Sequence, residues 1–312
     1  MLRALLILAR LRLLLFVLAI PLVGFGWAHW DHSLDLRGKE QLGWVVLAWP
    51  LLHIGTMWLN AHLDCDQGDI LLGRPVPVPH ATVWCGYAAL LTAITCAFIG
   101  NVVAGSACLA CAILSILYSH PWTVWKGHPL LGPFVNFLGY GLLSPLAGWA
   151  VVEVPLDLRT IFVWLLGSVG ALGCYFAAQA FQETEDRVRG YRTLVATHGA
   201  RGALLAARLC LGIAFTGGSV LALCGWFPRI CLVVIPLGVW IDRWLSLWSL
   251  QPLGGNERWA RGFAYRFLVV IFVGIGLAYV DYRWARWNGQ PAAGLGTSAG
   301  QPVETQSGAM AR

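Results

Sequence analysis

Residues 161–186, IFVWLLGSVGALGCYFAAQAFQETED, join a long apolar run directly to a cluster of carboxylates. The run Ile161–Phe181 contains no charged residue, and about 20 mostly apolar residues cross the hydrocarbon core of a bilayer as a helix. Glu183, Glu185 and Asp186 follow at once. The stretch predicts a membrane-crossing helix that ends in a polar site.

The composition extends this prediction to the whole chain. Of 312 residues, 58% are hydrophobic and 12% are charged, whereas an average soluble domain is about 45–50% apolar and about 25% charged. So few charges exclude a soluble globular protein, and so many large apolar residues exclude a disordered one. We therefore predict an all-α, polytopic membrane protein with nine transmembrane helices: Leu13–Trp30, Leu42–Asn60, Ala81–Gly100, Val102–Ser119, Leu130–Val152, Ile161–Phe181, Ala203–Trp226, Ile230–Leu250 and Phe263–Val280.

Three places along the chain set its boundaries. Only Gly100-Asn101 separates the third run from the fourth, and Asp242-Arg243 interrupts the eighth, which indicates an internal ion pair or a helix end. After the last run the chain becomes rich in Gly, Ala, Ser, Gln and Pro. We expect a transmembrane domain over residues 1–286 and a disordered tail over residues 287–312, because the tail has nothing with which to build a core.

The basic residues predict the orientation. Nine crossings place the two termini on opposite sides, and 13 of the 21 Lys and Arg residues then lie on the side of the N-terminus. Cytoplasmic loops carry an excess of Lys and Arg. We expect a multi-pass protein of the cell inner membrane with its polar loops in the cytoplasm. The excess of Lys and Arg in these loops also explains the net charge of +6, so the charge does not indicate a nucleic-acid partner.

Two acidic clusters follow the second and sixth runs, on the same predicted side. Asn60 and Asp64 share a helix face at i, i+4, and Asp66 joins them if the helix loosens at Gly68. Glu183 and Asp186 share a face at i, i+3. Either cluster alone is typical of a solvated loop end. Together they hold six of the 15 acidic residues, and their mutual repulsion favours a Mg²⁺ ion that also binds a diphosphate.

The same segments resemble the motifs of the UbiA superfamily of intramembrane prenyltransferases. Asn60-xxx-Asp64, with Arg74-Pro75 downstream, resembles the first aspartate-rich motif of that family. Glu183-xx-Asp186-xxx-Gly190-xx-Thr193-Leu194 resembles the second, and Tyr118-Ser119-His-Pro121 with Lys126 resembles a further segment. The resemblance covers roughly residues 10 to 285. The usual second Asp of the first motif is Gly68 here, Asp66 and Asp69 are the available substitutes, and we take Asp66 because it precedes the break at Gly68.

The resemblance implies a fold, a reaction and a set of site residues. The fold is a nine-helix bundle around a central, lipid-accessible cavity. The reaction transfers a prenyl group from an isoprenyl diphosphate to an unidentified hydrophobic acceptor, an aromatic compound or a lipid, among the membrane lipids. The implied metal ligands for Mg²⁺ are Asp64, Asp66, Glu183 and Asp186. The implied substrate-binding residues are Asn60, Arg74, Lys126 and Arg192, and the implied catalytic residues are Tyr118, Lys126 and Arg74.

Two alternatives remain open at this point. A terpene cyclase on the same scaffold would ionise the diphosphate without an acceptor, and a non-catalytic cation-binding or transport protein would use the carboxylates alone. The amides of Asn136 and Gln179 lie within predicted crossings, where such groups usually bond a neighbouring helix and less often serve an active site. The nine cysteines lie mostly in apolar runs and are interpreted as buried thiols.

Overall fold

The computed structural model describes residues 2–32, 34–64, 70–73 and 76–287, apart from the side chain of Arg286. Within these ranges the regular structure is helical throughout. The α-helices, in chain order, are α1 (Leu2–Leu8), α2 (Leu14–His32), α3 (Lys39–Asp64), α4 (Ala81–Gly100), α5 (Val102–Ser119), α6 (Leu131–Asn136), α7 (Ser144–Ala150), α8 (Leu158–Gln179), α9 (Glu183–Val188), α10 (Leu194–Leu223), α11 (Ile235–Trp248) and α12 (Glu257–Trp287).

Eight helical segments of the described chain are long and apolar enough to cross a membrane. The remaining predicted crossing, Leu130–Val152, forms α6 and α7 with a π-helical stretch, Phe137–Leu143, between them. Pro145 has no N–H to donate and disturbs the helix before it. The backbone N–H and the hydroxyl of Ser144 both donate to the carbonyl of Gly139, the hydroxyl at 2.6 Å, where the π-helical stretch ends.

The helix boundaries have local causes. Asn101 ends α4 and caps α5, because its side-chain oxygen accepts from the backbone N–H groups of Val103 and Ala104. This confirms the boundary predicted at Gly100-Asn101. Asp242 does not interrupt α11; its carboxylate receives a bidentate bond from Arg208 of α10, at 2.6 and 3.0 Å. The pair lets two charges lie between spanning helices. Of the predicted tail, residues 287–312, Trp287 is the last residue of α12, and residues 288–312 lie outside the described residues.

The apolar core has two parts. The first packs α2 to α5 and α7 around Trp49 and Trp149. The second packs α8, α10, α11 and α12 around Trp248 and Ile241. The acidic ends of α3 and of the segment after α8 reach the same end of the bundle, and this brings the two clusters of the sequence together.

Helices α2 and α7 touch backbone to backbone. A Cβ on Gly24 would lie 1.9 Å from the carbonyl oxygen of Pro145, and one on Gly148 would lie 1.8 Å from that of Pro21. Lipid chains are as apolar as the side chains that they contact, so membrane helices gain much of their packing from small residues at close crossings. The crossing fixes the broken helix against the first spanning helix.

We predict that Gly24→Ala destabilises the protein by about 1–3 kcal/mol, because the added methyl group forces two backbones apart. Thermal unfolding in detergent measures the change. Gly26→Ala is the matched control, since a Cβ at Gly26 meets nothing within 4 Å and the two glycines lie in the same helix. Equal melting temperatures for the two variants would contradict the assignment of α2 and α7 as a close crossing.

Candidate active site

The end of α3 carries the first two site residues. Asn60 and Asp64 lie one turn apart, on the face that their spacing predicts. The side-chain oxygen of Asn60 accepts from the hydroxyl of Ser119 at 2.7 Å. Ser119 is buried at the end of α5. This bond joins the ends of two spanning helices and holds Asn60 near the end of α5, where Tyr118 precedes Ser119 in the chain.

Lys126 lies in a single 3₁₀ turn, Trp125–Gly127, in the segment after α5. Its ammonium group contacts the carboxylate of Asp64, and both side chains are less than one-tenth exposed. Burial, and then the positive charge of Arg189, lower the pKa of Lys126 to about 7, and nearby carboxylates oppose that shift. The contact with Asp64 favours the charged form. The loop therefore places a buried cation directly against the first acidic cluster.

Asp186 is the buried acid of the second cluster. It lies in α9, and its carboxylate accepts from the hydroxyl of Thr193 at 2.6 Å. The same hydroxyl oxygen accepts from the N–H of Ala196 and caps α10. Lys126 and Arg189 lie near enough to interact electrostatically with Asp186. The described partner of this carboxylate is thus a neutral hydroxyl, while its cationic neighbours lie farther away.

Two loops close over these side chains. The backbone N–H of Arg192 donates to the carbonyl of Gly127 at 2.8 Å. The Tyr191 ring lies against Gly127, where a Cβ would be 2.7 Å from it. The ammonium of Lys126 lies 5.9 Å from the centre of the same ring. The side chain of Arg192 is exposed, so the structure places its backbone, rather than its guanidinium, in the contact between the loops.

The carboxylate of Glu183 stabilises a break in helix α10. Gly199 interrupts α10 with φ of +71°, a conformation that favours glycine. The break frees the N–H of Ala200, which donates to one carboxylate oxygen of Glu183 at 2.8 Å. Arg187 lies 2.9 Å from the other oxygen. Both oxygens of this predicted metal ligand therefore have partners within the protein.

Tyr118 belongs to a row of polar groups at the ends of α5 and α8. Its side chain lies near that of Tyr175. The Tyr175 hydroxyl accepts from the amide N–H of Gln179 at 2.8 Å. Gln179 thus bonds a residue of its own helix, not the neighbouring helix that its position predicts. Asp186 interacts electrostatically with both hydroxyls, so the row adjoins the second cluster.

The structure brings Asn60, Asp64, Tyr118, Lys126 and Asp186 together. Asp66 and Arg74 lie outside the described residues. Within the described ranges, no group of three His, Cys, Asp or Glu side chains has the geometry of a metal site.

Arg189 is a neighbour that the sequence reasoning did not assign. It pairs with Glu185 at 2.7 Å and donates to the backbone carbonyl of Asp64 at 3.4 Å. It thereby links the two clusters. The only signal in the sequence was its i, i+4 spacing from Glu185. That spacing predicts the ion pair but gives no sign of the contact with α3.

The family model of the UbiA prenyltransferase family matches residues 13–252. The chain belongs to this family. The long apolar helices of the described residues and the family together make it an integral, multi-pass membrane protein. None of the functionally curated proteins matches the sequence.

Solved structures of UbiA homologues share the fold. A UbiA homolog from Archaeoglobus fulgidus bound to Cd²⁺ superposes with a TM-score of 0.65 at 17% identity, covering 88% of this chain and 98% of that one. The homolog bound to DMAPP and Mg²⁺ gives 0.63 at 19% identity, with 88% and 99% covered. The apo UbiA homolog from Aeropyrum pernix K1 gives 0.61 at 15% identity, with 85% and 97% covered. At these identities the likeness establishes the UbiA fold.

We predict that Glu183→Ala destabilises the protein by about 1–3 kcal/mol, because it leaves the buried N–H of Ala200 without an acceptor. Glu183→Gln keeps an acceptor oxygen and is expected to cost less. Thermal unfolding in detergent gives the stability, and hydrogen exchange over residues 196–204 gives the local effect. Arg187→Ala is the control, since it removes only an ion pair whose cation is half exposed. Wild-type stability of Glu183→Ala would refute the capping role.

Proposed function

We propose that this protein catalyses the Mg²⁺-dependent transfer of a prenyl group from an isoprenyl diphosphate to a hydrophobic acceptor within the membrane. Membership of the UbiA prenyltransferase family supports the reaction class. Homologues of the same fold bind DMAPP or GPP together with Mg²⁺. The observation that carries the proposal is the buried ammonium of Lys126, which contacts Asp64 of the first acidic cluster and interacts electrostatically with Asp186 and Glu185 of the second, at the end of an apolar bundle.

The charges of the site fit a divalent cation. Asp64 contacts Lys126, Glu183 pairs with Arg187, and Glu185 pairs with Arg189. Asp186 is the buried acid whose described partner is a hydroxyl. Mg²⁺ takes one or two protein carboxylates and completes its octahedron with waters and phosphate oxygens. We propose Asp64 and Asp186 as its principal ligands, with Asp66 beside Asp64. Glu183, with both oxygens occupied, contributes less.

Bound at these carboxylates, Mg²⁺ would neutralise charge on the diphosphate. The chain's own residues would bind the diphosphate and orient its leaving oxygen. Lys126 provides a fixed positive charge beside the phosphate oxygens, and we assign Arg74 and Arg192 to the same anion. Asn60, anchored by Ser119, binds the diphosphate end of the substrate. Tyr118 orients the leaving oxygen. Such groups accelerate the reaction because they are already in place when negative charge develops on the leaving diphosphate.

The apolar bundle supplies the environment for the prenyl chain. An isoprenyl tail partitions into the hydrocarbon region, so its diphosphate end naturally lies at the membrane boundary where the charged side chains gather. The excess of Lys and Arg on the side of the N-terminus supports a cytoplasmic location for this end of the bundle. The acceptor would approach through the lipid, as the apolar outer surface allows.

The proposal is tested with purified protein in liposomes, radiolabelled geranyl diphosphate, Mg²⁺ and a native lipid extract as the source of acceptor. We expect Mg²⁺-dependent release of diphosphate and transfer of label into an acceptor from the extract. Cyclic hydrocarbon formed without the extract would replace the transferase proposal with a terpene cyclase. Failure to consume geranyl diphosphate at any Mg²⁺ concentration would overturn catalysis by this site.

We predict that Asp64→Asn and Asp186→Asn each lower the rate of Mg²⁺-dependent diphosphate release by about 100-fold or more, the size of effect expected when a charge-stabilising group is removed. Asparagine keeps the side-chain volume and one acceptor oxygen, so the bond from Thr193 survives in the second variant. Glu40→Gln is the matched control. It removes an exposed carboxylate from the opposite end of α3 and should leave the rate unchanged. Wild-type rates in both Asn variants would refute the site assignment.

A further inference from the structure

An arginine of α12 lies across two tryptophans of α11. The guanidinium carbon of Arg266 is 3.6 Å from the centre of the Trp244 ring and 4.8 Å from that of Trp240. A flat, charged guanidinium stacks well on aromatic faces. One of its terminal N–H groups donates to the carbonyl of Gly262 at 2.8 Å, one turn nearer the start of α12. The side chain therefore points toward the end of the bundle where α12 begins.

The positive charge of Arg266 has no counter-charge within the described part of the chain. Its Nε–H group is buried and has no hydrogen-bond acceptor there. The acids in the same halves of the two helices have other partners. Asp242 of α11 binds Arg208 of α10, and Glu257 of α12 binds Arg261 and accepts from the N–H of Leu72. Because a charge in a spanning segment is costly and is normally paired, an anion from outside the protein suits this position.

The tryptophans are held in place without the arginine. The ring N–H of Trp244 donates to the carbonyl of Trp259 at 3.0 Å, and the centres of these two rings lie 4.7 Å apart. Leu245 and Trp248 bury another side of α11 in the core. The packing of the tryptophans therefore does not require a charged side chain at position 266.

Two further arginines border the groove between α11 and α12. Arg243 is exposed. At about 100° per residue it lies on the outer side of α11 with Trp240 and Leu247, which are 41% and 55% exposed. Arg258 is exposed in the first turn of α12, about two turns before Arg266. The groove thus combines positive charge near the polar end of the bundle with exposed apolar surface.

We propose that Arg266, Arg243 and Arg258 bind the headgroup phosphate of an anionic phospholipid, whose acyl chains lie against α11 and α12. Basic pockets between spanning helices suit such headgroups, tryptophans are enriched at the membrane boundary, and guanidinium groups bind phosphate oxygens through paired N–H donors. A phosphatidylcholine headgroup would bring a cation among the arginines, so the groove selects lipids with a net negative charge. This inference does not depend on the proposed function.

Lipid binding to the full chain, purified in detergent and stripped of lipid, tests the inference. Native mass spectrometry follows titration with phosphatidylglycerol or with phosphatidylcholine of the same acyl chains. We expect the wild type to bind phosphatidylglycerol more tightly. Arg266→Gln should lower the affinity for phosphatidylglycerol about fivefold, the contribution of one arginine near an anionic lipid surface. The affinity for phosphatidylcholine should not change.

A double variant keeps the test decisive if Arg266→Gln does not fold. Arg243→Gln with Arg258→Gln changes only exposed side chains and should lower the affinity for phosphatidylglycerol about 25-fold, if the two contributions add. Arg283→Gln is the matched control, because Arg283 is exposed at the other end of α12. It should keep the wild-type affinity.

Three results would overturn the inference. The first is equal affinity of the wild type for the two lipids. The second is wild-type affinity for phosphatidylglycerol in the double variant. The third is displacement of bound phosphatidylglycerol by millimolar inorganic phosphate, because the groove would then recognise free phosphate and not a lipid.

Discussion

The contact between Lys126 and Asp64 is the constraint on which the rest of the site depends. A charged side chain at the centre of a spanning helix costs about 2.5–3.5 kcal/mol on insertion scales, and breaking a buried ion pair costs about 3–5 kcal/mol because one charge is left alone. Lys126 therefore holds the loop after α5 against the end of α3. The bonds from Ser119 to Asn60 and from Arg192 to Gly127 fix the chain on either side of Lys126.

The same rule produces charge pairs elsewhere in the described residues, away from the candidate site. Arg208 meets Asp242 through two parallel bonds, and such fork-like pairing uses both oxygens of the carboxylate. Arg159 contacts the buried carboxylate of Asp31 at the opposite end of the bundle and also lies 3.7 Å from the carboxylate of Asp157. At the candidate site, acids and bases from α3, the loop after α5 and α9 converge, and their charges are not exhausted by one-to-one pairing.

The sequence predicted the bounds of the long apolar helices well. It predicted the hydrogen-bond partners of individual polar side chains poorly. The predicted runs 81–100 and 102–119 coincide with α4 and α5, because Asn101 both breaks one helix and caps the next. Helix α10 begins at Leu194, nine residues before the predicted run. The prediction began later because the first turns of the helix contain His198 and Arg201 and are less hydrophobic than the rest. The bond from Ala200 to Glu183 depends on a kink at Gly199, which no spacing between the two acids reveals.

The bonds from Ala200 and Arg187 to Glu183 also change which acid of the second cluster is the better candidate for binding a cation. In the sequence, Glu183 and Asp186, which share a helix face, are the two candidates of this cluster for a cation. In the structure, Arg187 and Arg189 neutralise the two glutamates, and the glutamates in turn fix the backbone of α9. Asp186 accepts from the neutral hydroxyl of Thr193 and lies near Tyr118 and Lys126, and burial raises the pKa of its carboxyl group. The flanking ion pairs thus leave Asp186 as the acid of the cluster whose described partner is uncharged.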